Sequence, residues 1–411
     1  MKQKFCKNTH LNTPIFLIKN GYKLKYYCNL TSIYPSIKRI AITAACLIFF
    51  IACHEKESKS VITTFEADKI TQKTVKIQEM FPKFTIVPLE TNEKSLIQYI
   101  KKIILYGDCI YVLDDQRPLF AVFSINGKLV KTIGRQGHGP GEFYVPTDFI
   151  IDPKTKQIEL YDGFGRKILI YDLEGKFLKS VPVSVDGDYF VKFEDESYLI
   201  YTNMRNGKRM PFKLIRIDKG GKIITKEFPY SQETVQTTYS PFVQIGADKY
   251  IFSEHLNDTI YQITQKEIHP FIYINMGKEG MPFENRVDII SANAVARKYS
   301  RKTGSPMIFN NKILIPYSRN SNSRYICFNP DLSDPNYYKV TNSYDFAFGT
   351  PDFSSDNKLI GIIHPSSINL HKKDGRYALQ YRVGDKIPEM EELRKNLKEM
   401  DNPCLIIWDE N

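Results

Sequence analysis

The sequence predicts an all-β protein, a six-bladed β-propeller with four-stranded blades, closed by N- and C-terminal strands in the last blade and carrying two short helical insertions. Three observations predict this fold. A strand pattern repeats at a step of 48 residues, six similar strand patterns follow one another along the chain, and the final strand lacks a partner that an early, otherwise unassigned strand can supply.

The repeat is clearest between residues 109–134 and 157–181. When the two stretches are aligned, residues of similar kind coincide: Asp114 with Asp162, Phe123 with Tyr171, and Asn126-Gly127 with Glu174-Gly175. A step of 48 residues is in the range expected of propeller blades. The repeat therefore predicts two adjacent blades of the same design.

A glycine-rich segment connects the two copies. Between residues 133 and 143 it holds four glycines and one proline and no apolar side chain, a composition that builds sharp turns. The apolar run at Asp148–Asp152 then predicts a buried inner strand, and residues 158–162 and 167–172 predict a hairpin.

These features are similar to the NHL-type repeat, in which a glycine-rich turn, a phenylalanine and a proline precede the inner strand and an aspartate ends the second strand. The stretch from Leu89 to Val181 resembles the six-bladed propeller lipoproteins of Bacteroidales bacteria. The resemblance implies a lipid-anchored propeller in the cell envelope.

The first 52 residues are predicted to be a leader. They hold eight of the 57 basic residues and no Asp or Glu, so without them the net charge falls from +11 to +3. The basic character of the whole chain is thus no argument for a nucleic-acid partner. Residues 40–52 are apolar or small and follow Lys38-Arg39. This apolar stretch is too short to span a membrane and is typical of an export signal.

The sequence Phe50-Ile51-Ala52-Cys53 resembles a lipobox, in which Cys53 becomes lipidated and N-terminal after cleavage. This predicts anchoring in the outer membrane, on the periplasmic or the surface side. An uncleaved hydrophobic anchor and a chance cysteine are the alternatives. Because export signals usually have 15–30 residues, a true start downstream of Met1 is also an alternative.

The predicted organisation is a leader (1–52), a flexible tether and entry segment (53–80) and a single propeller (81–411). The tether is predicted from the polar residues behind Cys53. The chain after Cys53 has three further cysteines, Cys109, Cys327 and Cys404. Their odd number and irregular spacing argue against a disulfide framework and against a zinc cluster.

Six second strands are expected, one for each blade, at Ile110, Ile158, Tyr198–Tyr201, Lys249–Phe252, Lys312–Ile315 and Lys358–Gly361. Irregular spacing between them predicts helical insertions at about 282–300 and 386–401. The first has apolar residues at helical spacing (Val287, Ile290, Ala294), and so has the second (Met390, Leu393, Leu397, Met400). For the second insertion, a helix packed on the propeller side is favoured over a partner-binding helix.

The last strand provides the argument for closure. Cys404–Asp409 repeats the pattern of the third strand Lys167–Asp172, yet no fourth strand follows it. An unassigned strand, Lys83–Leu89, stands before the first blade. We therefore expect it to pair with Leu405–Trp408, which seals the ring and protects its edges.

In such a ring, the loops between second and third strands and the segments that cross between blades emerge on one face. The candidate binding residues on this face are Asp114, Arg117, Arg135, His138, Arg166, Arg205, His255, Arg319 and His364. Several arginines around one cavity would favour a carboxylate, sulfate or sugar-acid ligand.

The three histidines of this set, His138, His255 and His364, are expected on separate blades. This resembles the placement of metal or acid–base residues in propeller lyases and lactonases, and three converging imidazoles could hold zinc. Ordinary loop histidines are the alternative. GxSxG, P-loop and HExxH motifs are absent from the sequence.

Two functions follow from these observations. The first is a lipid-anchored binding or scaffolding propeller without catalysis or cofactor. The alternative is a lyase, esterase or lactonase that uses the rim histidines, with zinc or calcium. The expected partner is a small molecule, a glycan or an envelope protein; membrane contact is expected only through the lipid anchor, and the protein is expected to be a monomer.

Overall fold

The computed structural model describes two separate parts of the chain. It covers residues 62–203, 210–230, 237–286, 295, 298–320, 322–341, 350–366, 392–393 and 395–410, and the backbone of two N-terminal strands. The chain divides into two units, Met1–Val61 and Ile62–Asn411. In the first, β1 (Ile15–Lys19) pairs antiparallel with β2 (Tyr22–Tyr26). This hairpin is in the predicted leader; the apolar stretch behind it and Cys53 lie outside the described residues.

The second unit begins with an N-terminal arm. The arm consists of β3 (Thr63–Glu66), β4 (Gln72–Lys76), α1 (Ile77–Met80) and β5 (Phe84–Pro88). Its first two strands add to the outer edges of blades four and five, in parallel with the strands they contact. The structure thus differs from the expected flexible tether over residues 62–80. The physical reason is that Phe65 and Ile77 are buried between blades.

Blades one to three are each made of four consecutive antiparallel strands. Blade one has β6 (Ile100–Tyr106), β7 (Cys109–Asp114), β8 (Leu119–Ser124) and β9 (Leu129–Thr132). Blade two has β10 (Asp148–Asp152), β11 (Gln157–Asp162), β12 (Lys167–Asp172) and β13 (Phe177–Pro182). Blade three has β14 (Tyr189–Lys192), β15 (Tyr198–Tyr201), β16 (Phe212–Ile217) and β17 (Ile223–Pro229).

Blades four to six continue the same order from the inside outwards. Blade four has β18 (Phe242–Gly246), β19 (Lys249–Phe252), β20 (Thr259–Ile263) and β21 (Ile268–Asn275). Blade five has β22 (Arg301–Lys302) and β23 (Met307–Phe309), which both pair with β24 (Lys312–Arg319), then β25 (Asn322–Phe328) and β26 (Asn336–Thr341). Blade six has β27 (Phe353–Ser355), β28 (Lys358–Ile363), β29 (Cys404–Trp408) and, outermost, β5. The six-bladed propeller is confirmed.

The last strand of the N-terminal arm and the C-terminal strand close the ring in blade six. β29 pairs antiparallel with β5, with Leu405 opposite Val87 and Trp408 opposite Phe84. This is the pairing predicted from the sequence. Trp408 is fully buried and its ring packs on Gly361, where a Cβ would be 2.8 Å from the indole. A glycine at this position therefore makes room for the largest side chain of the last blade.

The core lies between the blades. Each pair of neighbouring blades encloses one of six large apolar clusters of the described residues. Between blades one and two, for example, Phe120 contacts Phe149 with ring centroids 4.6 Å apart. Because every blade buries both of its faces in this way, the stability of each depends on its neighbours.

One buried carboxylate connects three consecutive blades near the axis. Asp148 at the start of β10 accepts a hydrogen bond of 2.6 Å from the Lys102 ammonium of blade one and one of 2.9 Å from the Phe190 N–H of blade three. Burial raises the pKa of Asp148, and the Lys102 charge acts in the opposite direction. The pair fixes the inner strands relative to one another.

The two predicted insertions are described in part. In the first, Gly277–Glu279 and Phe283–Asn285 form 3₁₀ turns, and Val287, Ile290 and Ala294 lie outside the described residues. In the second, residues 392–393 and 395–396 are helical, and we call them the side helix. Leu393 and Leu397 pack against the apolar cluster of blades five and six, as expected of a packing helix.

Candidate functional site

One face of the propeller carries the turns between second and third strands and the segments that link consecutive blades; we call it the crossing face. Strands of a blade alternate in direction, so these two kinds of connection must leave the sheet on the same side. The glycine-rich segment between β9 and β10 is one of them. Its Gly141 has a positive φ of 72° and lies where a Cβ would be 2.8 Å from Phe177, so this turn requires glycine.

A buried aspartate organises the crossing face of blade one. Asp114 at the end of β7 accepts backbone hydrogen bonds from Gln98 (2.5 Å) and Tyr99 (3.1 Å) in the segment that enters the blade. It also accepts bonds from Gln116 (2.9 Å) and Arg117 (3.0 Å) in its own turn. Burial raises the pKa of Asp114, and these four N–H groups act in the opposite direction. Asp114 was predicted to be a binding residue, but in the structure its carboxylate accepts hydrogen bonds from two loops and connects them.

Asp162 has the same role in blade two. It accepts backbone hydrogen bonds from Tyr144 (2.7 Å), Val145 (3.0 Å) and Gly165 (2.9 Å). The aspartate that the sequence repeat aligned with Asp114 is thus its structural equivalent. In both blades a buried carboxylate fixes a segment that carries a tyrosine against a turn that carries an arginine.

The loops of the crossing face in blades one and two expose aromatic side chains. Tyr99 is 42% exposed, Tyr144 48% and Phe164 48%. The exposed His138 ring stacks on Tyr144, with centroids 6.0 Å apart and an interplanar angle of 20°. We call Tyr99, His138, Tyr144 and Phe164 the aromatic set. Of these four, only His138 was a predicted site residue.

Two sequence signals could have identified the other members. Tyr144 directly follows Phe143, and one of two adjacent aromatics in a glycine-rich loop must remain outside when the other, here Phe143, is fully buried. Phe164 lies between Gly163 and Gly165 in a hairpin turn, where an apolar side chain has no core to enter.

The predicted arginines surround these residues but have carboxylate or carbonyl partners. Arg135 donates to Glu142 at 2.6 Å. Arg166 donates to both oxygens of Asp186, at 2.6 and 3.0 Å. Arg117 reaches only the backbone oxygen of Glu93, at 3.3 Å. The charges of Arg135 and Arg166 are compensated by Glu142 and Asp186. These two arginines can therefore donate hydrogen bonds to a ligand but add little net positive charge.

The remaining predicted residues are distributed around the ring. Arg319 pairs with Glu279, which also accepts a hydrogen bond of 2.7 Å from Arg324. Arg205 lies outside the described residues. His364 is exposed at the end of β28.

The three predicted histidines have separate surroundings. No group of three or more His, Cys, Asp or Glu side chains in the described part of the chain is placed to hold a metal ion. His138 stacks on Tyr144, and His255 is half-buried with its Nδ1 2.9 Å from the Tyr239 hydroxyl. The alternative of ordinary loop histidines thus describes the geometry better than a shared zinc site.

His255 gives a testable pH dependence. Burial, together with the charges of Lys302 and Arg301, lowers its pKa from 6.5 to about 4, and a hydrogen bond to the Lys302 backbone acts in the opposite direction. Between these values the unfolded chain binds the proton and the folded chain does not. The stability of the fold should therefore fall as the pH drops from 6.5 to 4, by about 1–3 kcal/mol from this group.

Urea unfolding of wild type and His255→Gln at pH 7 and pH 4.5 measures this contribution. The variant should lose less stability on acidification than the wild type. His138→Gln is the matched control, since that ring is exposed on the surface. Equal acid sensitivity of wild type and His255→Gln would contradict the prediction.

Comparison with known proteins places this architecture in a family. Residues 60–409 match the family described as "Domain of unknown function (DUF4934)". The chain belongs to this family. No curated protein matches the DUF4934 chain. Among the described residues, none forms a helix long and apolar enough to cross a bilayer.

Solved structures similar to the DUF4934 chain come from several bacteria. A Bacteroides fragilis protein described as exported has 16% identity and a TM-score of 0.64, over 84% of this chain and 99% of that one. A DUF4221 member from Bacteroides vulgatus has 12% identity and a TM-score of 0.49, over 80% and 96%. Virginiamycin B lyase from Staphylococcus aureus has 13% identity and a TM-score of 0.41, over 68% and 80%. Because the identity is 16%, the similarity to the Bacteroides fragilis protein is a similarity of fold.

Proposed function

We propose that this protein is an exported, lipid-anchored scaffolding propeller of the cell envelope that binds a protein partner through the crossing face of blades one and two, without catalysis. The observation that carries the proposal is the aromatic set, displayed on turns that Asp114 and Asp162 hold in place. Tyrosine and arginine are enriched where proteins bind one another, and rigid presentation lowers the entropy cost of binding.

The location rests on separate support. The structural relative from Bacteroides fragilis is described as exported, and the sequence ending in Cys53 resembles a lipobox. Anchoring through Cys53 in the outer membrane stays a prediction, as does the likeness to NHL-type lipoproteins. Labelling with a radioactive fatty acid, lost in Cys53→Ala, would test the anchor.

Loss of the exposed aromatics should abolish partner binding but spare the fold. Tyr144→Ser combined with Phe164→Ser is expected to weaken binding at least 100-fold, because central aromatic contacts contribute about 2 kcal/mol or more each. Both rings are about half exposed, so the unfolding midpoint should change little. The partner is found by placing a photo-crosslinking benzoylphenylalanine at Tyr144 in intact cells.

The control for this experiment is the same crosslinker at Leu178, which is 42% exposed on the outer strand β13. A protein captured from position 144 and not from 178, and lost on Phe164→Ser, supports the proposal. Capture of the same proteins from both positions would contradict it. Crosslinking to a polysaccharide instead would identify a glycan as the ligand and overturn the protein partner.

The enzymatic alternative has less support. A lyase, esterase or lactonase that used His138, His255 and His364 with zinc or calcium would need their side chains to converge, and no group of three such ligands was found among the described residues. Elemental analysis of the purified protein, with His255→Ala and His364→Ala for comparison, tests it. Stoichiometric zinc or calcium that both variants lose would favour the enzyme over the scaffold.

A further inference from the structure

The outer strand of blade six borders a groove. β5 pairs with β29 on one side, and no strand in the described part of the chain pairs with its other side. A groove of about 550 Å³ lies between β5 and the side helix. Its apolar lining includes Ile86, Leu89, Leu393 and Leu397, and its acidic lining is Glu392 and Asp401. The volume is within the range of pockets that bind ligands.

The backbone of β5 offers hydrogen-bonding groups on the groove side. Leu89 N–H donates to Pro403 and Asp409 N–H donates to Lys83, so the odd-numbered residues of this strand direct their backbone towards β29. In an antiparallel pair the alternate residues point the other way. The N–H and C=O of Ile86 therefore face away from β29. Pro88 has no N–H, which limits any further pairing to a short segment.

Two other blades show that outer edges of this propeller accept a fifth strand. β3 pairs in parallel with β21 of blade four, and β4 pairs in parallel with β26 of blade five. Each added strand is four or five residues long. Blade six has no such strand among the described residues, and the side helix lies beside its edge.

The chemistry of the groove indicates the kind of segment that it takes. Ile86, Leu393 and Leu397, which all pack in the cluster of blades five and six, provide an apolar floor, while Glu392 and Asp401 provide negative charge with no cationic side chain in the described lining. Successive side chains of a strand point to opposite sides. A segment that alternates apolar and basic residues can thus place one set on the floor and direct the other towards the carboxylates.

We propose that blade six binds an extended segment of a second protein, with alternating apolar and basic residues, as an additional strand on β5. This inference is independent of the aromatic set on the crossing face. It gives the propeller a second protein-binding surface on its side, as a scaffold that joins two partners requires. The pairing is strand addition, in which backbone hydrogen bonds give affinity and side-chain contacts give specificity.

The probe is a synthetic ten-residue peptide of alternating valine and lysine, with a valine–glutamate peptide for comparison. Fluorescence anisotropy should show binding of the first and at least tenfold weaker binding of the second. Amide hydrogen exchange in the segment 84–91 should slow when the basic peptide is added, chiefly at the Ile86 N–H, which faces away from β29, because the Leu89 and Glu90 N–H groups already donate to Pro403 and Gly127. Residues 177–182 of the outer strand β13 serve as an internal control and should not change.

Glu392→Lys reverses a charge of the groove at an exposed position and should weaken binding of the basic peptide at least tenfold. Glu174→Lys makes the same charge change at an exposed turn of blade two and should leave affinity within twofold. Tyr144→Ser with Phe164→Ser should also have no effect, which separates this site from the crossing face.

Several results would overturn the inference. They are equal binding of both peptides, equal loss of affinity in Glu392→Lys and Glu174→Lys, and protection of β13 as strongly as β5. Protection of residues 84–91 that depends on protein concentration without peptide would show that a second copy of this chain occupies the edge instead, and would also overturn it.

Discussion

A chain that ends at Pro403 is expected not to fold, although it lacks only eight of the 411 residues. The deletion removes β29, which lies between β28 and β5 in blade six. All five side chains of this strand are at most 3% exposed. At about 1.5–3 kcal/mol for each buried apolar side chain, their loss removes about 10 kcal/mol. Since whole domains are stable by about 5–15 kcal/mol, the ring should not survive.

Circular dichroism and size-exclusion chromatography of the truncated protein measure this result. Removal of Glu410 and Asn411 alone is the matched control and should leave a folded protein, because these residues follow the last strand. Trp408→Ala is the milder form, with an expected loss of about 3–5 kcal/mol. A truncated chain that remained folded and monomeric would show that blade six does not seal the ring.

The closure could be predicted from the sequence because it depends on a local repeat. Cys404–Asp409 has the pattern of a third strand with no fourth behind it, and the early strand had no other blade to join. β5 was found one residue inside each end of the predicted range, at Phe84–Pro88. β29 is buried on both faces, so it appears in the sequence as a short continuous apolar run that can be recognised without knowing its partners.

The edge strands β3 and β4 could not be predicted in this way. β4 has no fully buried residue, and in β3 only Phe65 is buried. Their conformation comes from the free backbone edges of β21 and β26, which are more than 200 residues away in the chain. Pairing with a distant strand edge does not require a recognisable pattern of apolar residues in the segment itself. The polar composition of the segment therefore suggested a tether.

The sequence predicted which loops share one face of the ring, but not the contacts of the side chains on them. The crossing face was expected to carry the site, yet sequence cannot distinguish a carboxylate that faces solvent from one that binds backbone N–H groups, as Asp114 does. It also cannot show that Arg166 lies against Asp186, because the two are 20 residues apart and meet only through the blade junction. The binding role of the rim residues stays a prediction.

Asp162→Ala is expected to destabilise the protein by about 3–5 kcal/mol and to abolish binding through the crossing face. Asp162 is fully buried, and its loss leaves the N–H groups of Tyr144, Val145 and Gly165 without their acceptor. Each unpaired buried group costs about 1–3 kcal/mol, and water entering the turn would recover part of this. Urea unfolding at pH 7 measures the loss, and crosslinking from position 144 measures binding.

Asp172→Ala is the matched control in the same blade. Asp172 accepts one backbone hydrogen bond, of 2.8 Å, from Lys176 in an exposed turn, so its loss should cost less than about 1 kcal/mol. Equal losses for the two variants would contradict the role given to Asp162. Asp162→Asn distinguishes an effect on stability from an effect on the position of the Tyr144 segment. The amide keeps one oxygen that can accept hydrogen bonds, but its NH₂ group points at the N–H groups that bonded to the other oxygen. If that variant is nearly as stable as wild type and still loses binding, the carboxylate acts mainly by fixing the Tyr144 segment against the turn at Gly165.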